Sequence, residues 1–188
     1  MSMNDLDGEL PEGALSDIDG SNLEFLSLHS NKLSGPIPSG IGKMINLRTL
    51  DLSLNELSGD LPSEISNLTA LNILFLGRNN YNEAEVPEWL RNMTQLTELS
   101  LKNSSFTGTI PEWMGELTTL LLLDLGENEL TGGIPQTLNN LTELVVLILN
   151  KNRLSGELGL GQLQWLGELT FDKALLLPFF ISLLIFGV

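Results

Sequence analysis

Asparagine stands at residues 31, 55, 79, 128 and 152. Each copy lies three residues after a Leu-x-Leu and two before a large apolar residue. A carboxamide offers two donors and an acceptor, which suits it to join backbone turns that would otherwise leave polar groups unpaired. Its recurrence at Asn31, Asn55, Asn79, Asn128 and Asn152 therefore predicts a ladder of structural amides rather than a reactive centre. Ser104 takes that place in one copy, so one weaker rung is expected. Groups that could do covalent chemistry are scarce. There is no Cys and a single histidine, His29, whose nearest equivalent acid is Asp51. Without an accompanying nucleophile, a surface ion pair is the expected use of that couple. Gly159-Leu-Gly161 lacks the third glycine of a dinucleotide loop, where Gln164 stands instead. The acids are scattered and do not fall at calcium-loop spacing. No catalytic residue, cofactor or metal is expected.

The elements that position these amides repeat with them. Units begin at Leu23, Leu47, Leu71, Leu96, Leu120 and Leu144, a period of 24 residues with one of 25. Such a period marks a stacked solenoid in which each unit buries its apolar face only against its neighbours. Leu at positions one, four and six of a unit predicts a short strand with its apolar side inward. Gly at position thirteen (Gly35, Gly59, Gly108, Gly132, Gly156) suits a turn with positive φ. Pro38, Pro62, Pro87, Pro111 and Pro135 suit an irregular outer segment, because proline supplies no N–H. The organisation expected is a partial repeat over 1–22 and six repeats over 23–165. Their bounds are 23–46, 47–70, 71–95, 96–119, 120–143 and 144–165. A degenerate repeat follows over 166–173, carried by Leu166, Leu169 and Phe171, then an apolar tail over 174–188. The third unit, one residue longer, predicts a bulged outer loop over Asn80 to Glu85.

Read together, Asn-x-Leu-Ser-Gly-x-Ile-Pro and the 24-residue period resemble the plant-type leucine-rich repeat family. Its members include ectodomains of receptor-like kinases and receptor-like proteins, and secreted inhibitors of wall-degrading enzymes. The resemblance covers about residues 4 to 165. It implies an α/β-type repeat solenoid: a right-handed superhelix with a curved parallel β-sheet on the concave face and irregular or 3-10 outer segments. It also implies ligand binding on that sheet. Plant members usually carry paired-cysteine caps, which this chain lacks.

Strand positions three, five and seven, with their flanks, would form the recognising face. The partner-binding candidates are Phe25, His29, Asp51, Ile73, Phe75, Arg78, Glu98, Lys102, Leu122, Asp124 and Ile148. Phe25, Ile73 and Phe75 are the expected apolar anchors, since buried aromatic anchors carry much of interface energy. Leu122, Val146 and Ile148 form a second apolar group, which either binds a partner or is covered by the tail. On this face Arg48, Arg78, Lys102 and Lys151 nearly balance Glu24, Asp51, Glu98, Asp124 and Glu127. The net charge of −15 therefore lies almost wholly elsewhere. That charge argues against nucleic-acid partners and anionic membrane surfaces.

Trp89 and Trp113 recur in Pro-Glu-Trp, which reads as a structural stack on the outer side. Sequons at Asn67, Asn92, Asn103 and Asn140 are candidate glycosylation sites, although the repeat motif itself tends to generate them. The N-terminus begins in mid-repeat without a signal peptide, which predicts a piece of a longer protein. Ala174–Val188 carries no charge. As a helix it would reach roughly 22 Å, short of a bilayer core of about 30 Å. It reads as the start of a spanning helix or anchor, as an end cap, or as an artefact of the gene model. The expected function is a non-catalytic protein or peptide recognition module of a membrane-associated or extracellular receptor-like or adhesion protein. The alternatives are a cytoplasmic scaffold repeat and a secreted inhibitor-like protein. Oligomeric state is not legible.

Overall fold

The computed structural model describes residues 4–11, 22–156, 159, 163 and 166–170. Each unit contributes a three-residue strand at its Leu-x-Leu. These are β2 (Phe25–Ser27), β4 (Thr49–Asp51), β6 (Ile73–Phe75), β9 (Glu98–Ser100), β11 (Leu122–Asp124), β13 (Val146–Ile148) and β15 (Glu168–Thr170). They pair in chain order as one seven-stranded parallel sheet on the concave side of a repeat solenoid. Register is strict: Leu50 pairs with Leu26 and Leu74, and Leu123 with Leu99 and Leu147. Because side chains alternate across a strand, this register stacks every inward leucine on its counterpart one unit away.

The inward column is closed to solvent in the middle units. Leu47, Leu50, Leu52, Leu71, Leu74, Leu76, Leu96, Leu99 and Leu101 are buried, as are Ile41, Ile65, Leu90, Met114 and Leu138 of the outer side, whereas Leu26 and Leu28 of the first strand are only partly buried. At about 1.5–3 kcal/mol per buried side chain, this apolar stack is the main favourable term of the fold.

A second, shorter ladder follows the Asn position. It comprises β1 (Asp7–Glu9), β3 (Lys32–Gly35), β5 (Glu56–Gly59), β7 (Asn80–Tyr81), β8 (Ala84–Glu85), β10 (Phe106–Thr107), β12 (Thr131–Gly132) and β14 (Arg153–Leu154). The extra residue of the third unit breaks this ladder. Tyr81 pairs back to Gly59, whereas Ala84 and Glu85 pair forward to Phe106 and Thr107. The bulged loop expected there is thus two short strands, one facing each neighbour.

The outer side is made of five-residue 3-10 turns: Ser39–Lys43, Ser63–Asn67, Glu88–Asn92, Glu112–Glu116 and Gln136–Asn140. Each follows a proline whose φ lies between −62° and −70°. Each closes on an N–H bonded to the carbonyl three residues back, as at Leu68 to Ile65. Trp89 and Trp113 are partly buried and pack against the core from this side. No helix among the described residues is long and apolar enough to cross a membrane. Phe171 and Ala174–Val188 lie outside the described residues.

Candidate recognition face

The side chains at the asparagine position tie units together. Asn55 Nδ2 donates to Leu52 O in its own unit and to Leu28 O in the unit before, at 3.1 and 3.0 Å. Its Oδ1 accepts the Leu33 N–H at 3.1 Å. Asn79 repeats the pattern with Leu76 O, Leu52 O and the Leu57 N–H. Asn128 and Asn152 donate to Leu101 O and Leu125 O respectively, both at 2.9 Å. At the first rung Asn31 Oδ1 accepts the Leu6 N–H. Ser104 is fully buried, and its hydroxyl donates to Lys102 O within its own unit. Asn128 Oδ1 answers by accepting both the Ser104 and Phe106 N–H groups.

Just before each ladder position the backbone turns left-handed. Ser30, Leu54, Arg78, Asn103, Glu127 and Lys151 have φ between 49° and 59°. For a residue with a Cβ this costs about 1–2 kcal/mol. The sequence gives no warning of it, because only Asn103 is of a type that tolerates the conformation. The turn aims the following asparagine inward and carries its own side chain to the rim of the main sheet.

Phe75, Arg78, Lys102, Leu122 and Asp124 come together on the outward side of that sheet. With Ser53, Leu54, Gly77 and Ser100 they line a cavity of about 230 Å³. Glycine at residue 77 lets the next unit come close: a Cβ there would lie 2.7 Å from the Lys102 carbonyl oxygen. Leu54, which carries an exposed apolar side chain, was not legible as a site residue because its placement depends on the left-handed turn.

Beside the cavity, Glu127 gathers three cations: Lys102 at 3.1 Å, Lys151 at 3.4 Å and Arg78 at 3.9 Å. Hydrogen bonding to Lys102, with smaller help from Lys151, holds the Glu127 carboxyl below its ordinary value. Asp124 behaves oppositely. It is only 8% exposed, and burial raises its pKa despite a bond from the Gly126 N–H and the nearby Lys102 charge. The cavity thus has an apolar wall of Phe75 and Leu122 and a charged rim, with Asp124 desolvated at its edge.

The remaining candidates lie outside this cavity. Phe25 is 63% exposed in β2, and Ile73 is paired with Thr49 and Glu98 in β6. Ile148 in β13 pairs with Asp124 and Thr170. Near the first strands the expected ion pair is replaced by a relay. Ser53 Oγ donates to Asp51 Oδ1 at 2.6 Å, which leaves it to accept from His29 Nδ1–H at 3.1 Å. His29 Nε2 then accepts from the Ser30 hydroxyl at 3.0 Å. The interposed serine corrects the His29–Asp51 expectation. Ser53 thus links the Asp51 carboxylate to the imidazole in one hydrogen-bonded chain.

A parallel sheet laddered by asparagines, with an open outward face, defines a stacked-repeat solenoid. Profiles of the leucine-rich repeat family match residues 22–44, 46–68 and 94–154, and the chain belongs to that family. Among solved structures it is similar to the ectodomain of the plant membrane receptor kinase GASSHO1/SCHENGEN3 from Arabidopsis thaliana. That structure was solved in complex with CASPARIAN STRIP INTEGRITY FACTOR 2. The match is 39% identical with a TM-score of 0.79, and covers 87% of this chain and 19% of that one. The ectodomain of the Arabidopsis receptor kinase HAESA, in complex with an N-terminally extended IDA peptide hormone, is 30% identical. Its TM-score is 0.82, and the match covers 94% of this chain and 30% of that one. The BIR2 ectodomain from Arabidopsis thaliana is 30% identical with a TM-score of 0.62, covering 73% of this chain and 70% of that one. The chain therefore spans less than a third of the length of the first two. No match was found among curated proteins.

Proposed function

We propose that this chain is a recognition segment of an extracellular, receptor-like leucine-rich repeat protein. It binds a peptide or a protein loop in extended form on the outward face of its parallel sheet, without catalysis. The observation that carries this reading is the cavity over β6, β9 and β11. It sets an apolar wall from Phe75 and Leu122 beside the cations Arg78 and Lys102. A ligand that seats an apolar side chain there and offers charge to the rim would satisfy both. The similar HAESA ectodomain, solved with a peptide hormone, supports the class of ligand. Phe75 is the anchor of the reading, and truncating such an anchor costs about 2 kcal/mol or more. Selection of a displayed peptide library on the full chain should yield binders that lose at least about thirtyfold in affinity with Phe75→Ala. Binders that hold Phe75→Ala as tightly as the parent would refute the assignment.

A further inference from the structure

We propose that Asn67, Asn92 and Asn140 carry N-linked glycans along the outer side of the solenoid. The first sugar on Asn140 lies in the cavity beside Trp113. This rests on the extracellular reading for its setting, but its evidence is separate. All three asparagines begin an Asn-x-Thr sequon, and each is the last residue of a 3-10 turn. They are exposed, and their carboxamides make no hydrogen bond among the described residues. Asn72, Asn82 and Asn139, which begin no sequon, use theirs on Gln95 O, Asp60 Oδ1 and Gly159 O. A glycan on Nδ2 would disrupt bonds of that kind, and at the three sequons there are none to disrupt.

In the unit between Asn92 and Asn140 the column holds Glu116 instead. It grips Arg91 through two bonds of 2.7 and 2.6 Å. That ion pair, with Trp113, Glu112, Thr137 and Asn140, lines an open cavity of about 420 Å³. A pyranose has an apolar C–H face for the indole and a rim of hydroxyls for the carboxylates and the threonine. Asn103 is outside the proposal: it sits on a left-handed turn with φ 49°, where a strand leaves the recognition sheet.

In the transfer, Asn Nδ2 attacks C1 of an oligosaccharide carried on a lipid diphosphate. The N–C1 bond forms as the C1–O bond breaks. The diphosphate leaves with the electron pair, and the amide gives up one proton.

The test is the full chain behind a cleavable signal peptide in eukaryotic cells, with glycopeptide mass spectrometry. Asn67, Asn92 and Asn140 should be occupied; bare asparagines after forced entry would overturn the sites. Occupancy on forced entry but not in the native cell would instead overturn the extracellular reading. For the cradle, NMR should show the N-acetyl methyl of the Asn140 glycan shifted upfield by the indole ring. The Asn67 glycan is the control, since its unit and the one before carry no tryptophan. Resonances are assigned by Asn140→Gln and Asn67→Gln. Equal shifts for the two glycans would overturn the placement over Trp113.

Discussion

At the residue scale, what decides stability is which polar group each amide leaves behind when it is removed. Leu28 O and Leu52 O each accept from two asparagine side chains, so both keep a partner without Asn55. The buried Leu33 N–H is the group orphaned, because Asn55 Oδ1 is its acceptor. Asn55→Ala should therefore destabilise by about 1–3 kcal/mol, measured by urea unfolding, and an unchanged midpoint would contradict the account. The charges around Glu127 have their own signature. Its folded pKa is depressed, so its stabilisation is present above the ordinary glutamate value of 4.5 and is lost as pH falls through the depressed value. Asp124 has a raised pKa, so its ionised form carries a cost that grows as pH rises above 3.8 and disappears in acid. Lys102 serves both carboxylates. Lys102→Met should thus lower stability at about pH 7, and the loss should shrink as pH falls through the depressed Glu127 value. A loss independent of pH would point to packing of the lysine stem instead.

At the scale of the element, the left-handed residue before each asparagine is the hidden joint of the repeat. Leu54 adopts φ 56° although leucine has no intrinsic reason to. Its cost is carried by the ladder bonds that the turn makes available to Asn55. Asparagine tolerates this conformation better, so Leu54→Asn should raise stability by up to about 1 kcal/mol. Lower thermal stability would mean that the exposed leucine contributes packing that outweighs the strain. Much of the element pattern was legible. Leu-x-Leu marked the strands, proline the non-sheet outer segments, and glycine the positive-φ turns such as Gly59 at 76°. The joint at Leu54, the split ladder at Tyr81 and Ala84, and the Ser53 relay were not. Each depends on contacts between units rather than on residue type within one. A period of 25 announces an irregularity, but only register shows that the surplus residue pairs one way and its neighbours the other.

At the scale of the whole molecule, stacking turns single-unit alternation into columns. One column closes into a continuous leucine core, while the opposite one stays open and mixes aliphatic, aromatic and charged groups. Which side chains point outward was readable from position within the repeat. Which residues cluster was not, because the cavity gathers Phe75, Arg78, Lys102, Leu122 and Asp124 from three neighbouring units and passes over Phe25 and Ile148. Column arithmetic gives each side chain a direction, whereas the close approach of units at Gly77 and the rim built by the left-handed turns depend on contacts between units. The acidity of the chain stays away from this face, so binding there should depend on shape and local charge more than on net charge.

The most direct test is photo-crosslinking with a reactive phenylalanine analogue placed at residue 75 on the sheet or at residue 113 on the outer side. The probe is the peptide pool secreted by the cells that express the protein. Crosslinks that form from residue 75 and are competed by excess unlabelled full chain, with none from residue 113, are the predicted result. Equal capture from both positions, or capture from residue 113 alone, would contradict recognition on the concave sheet.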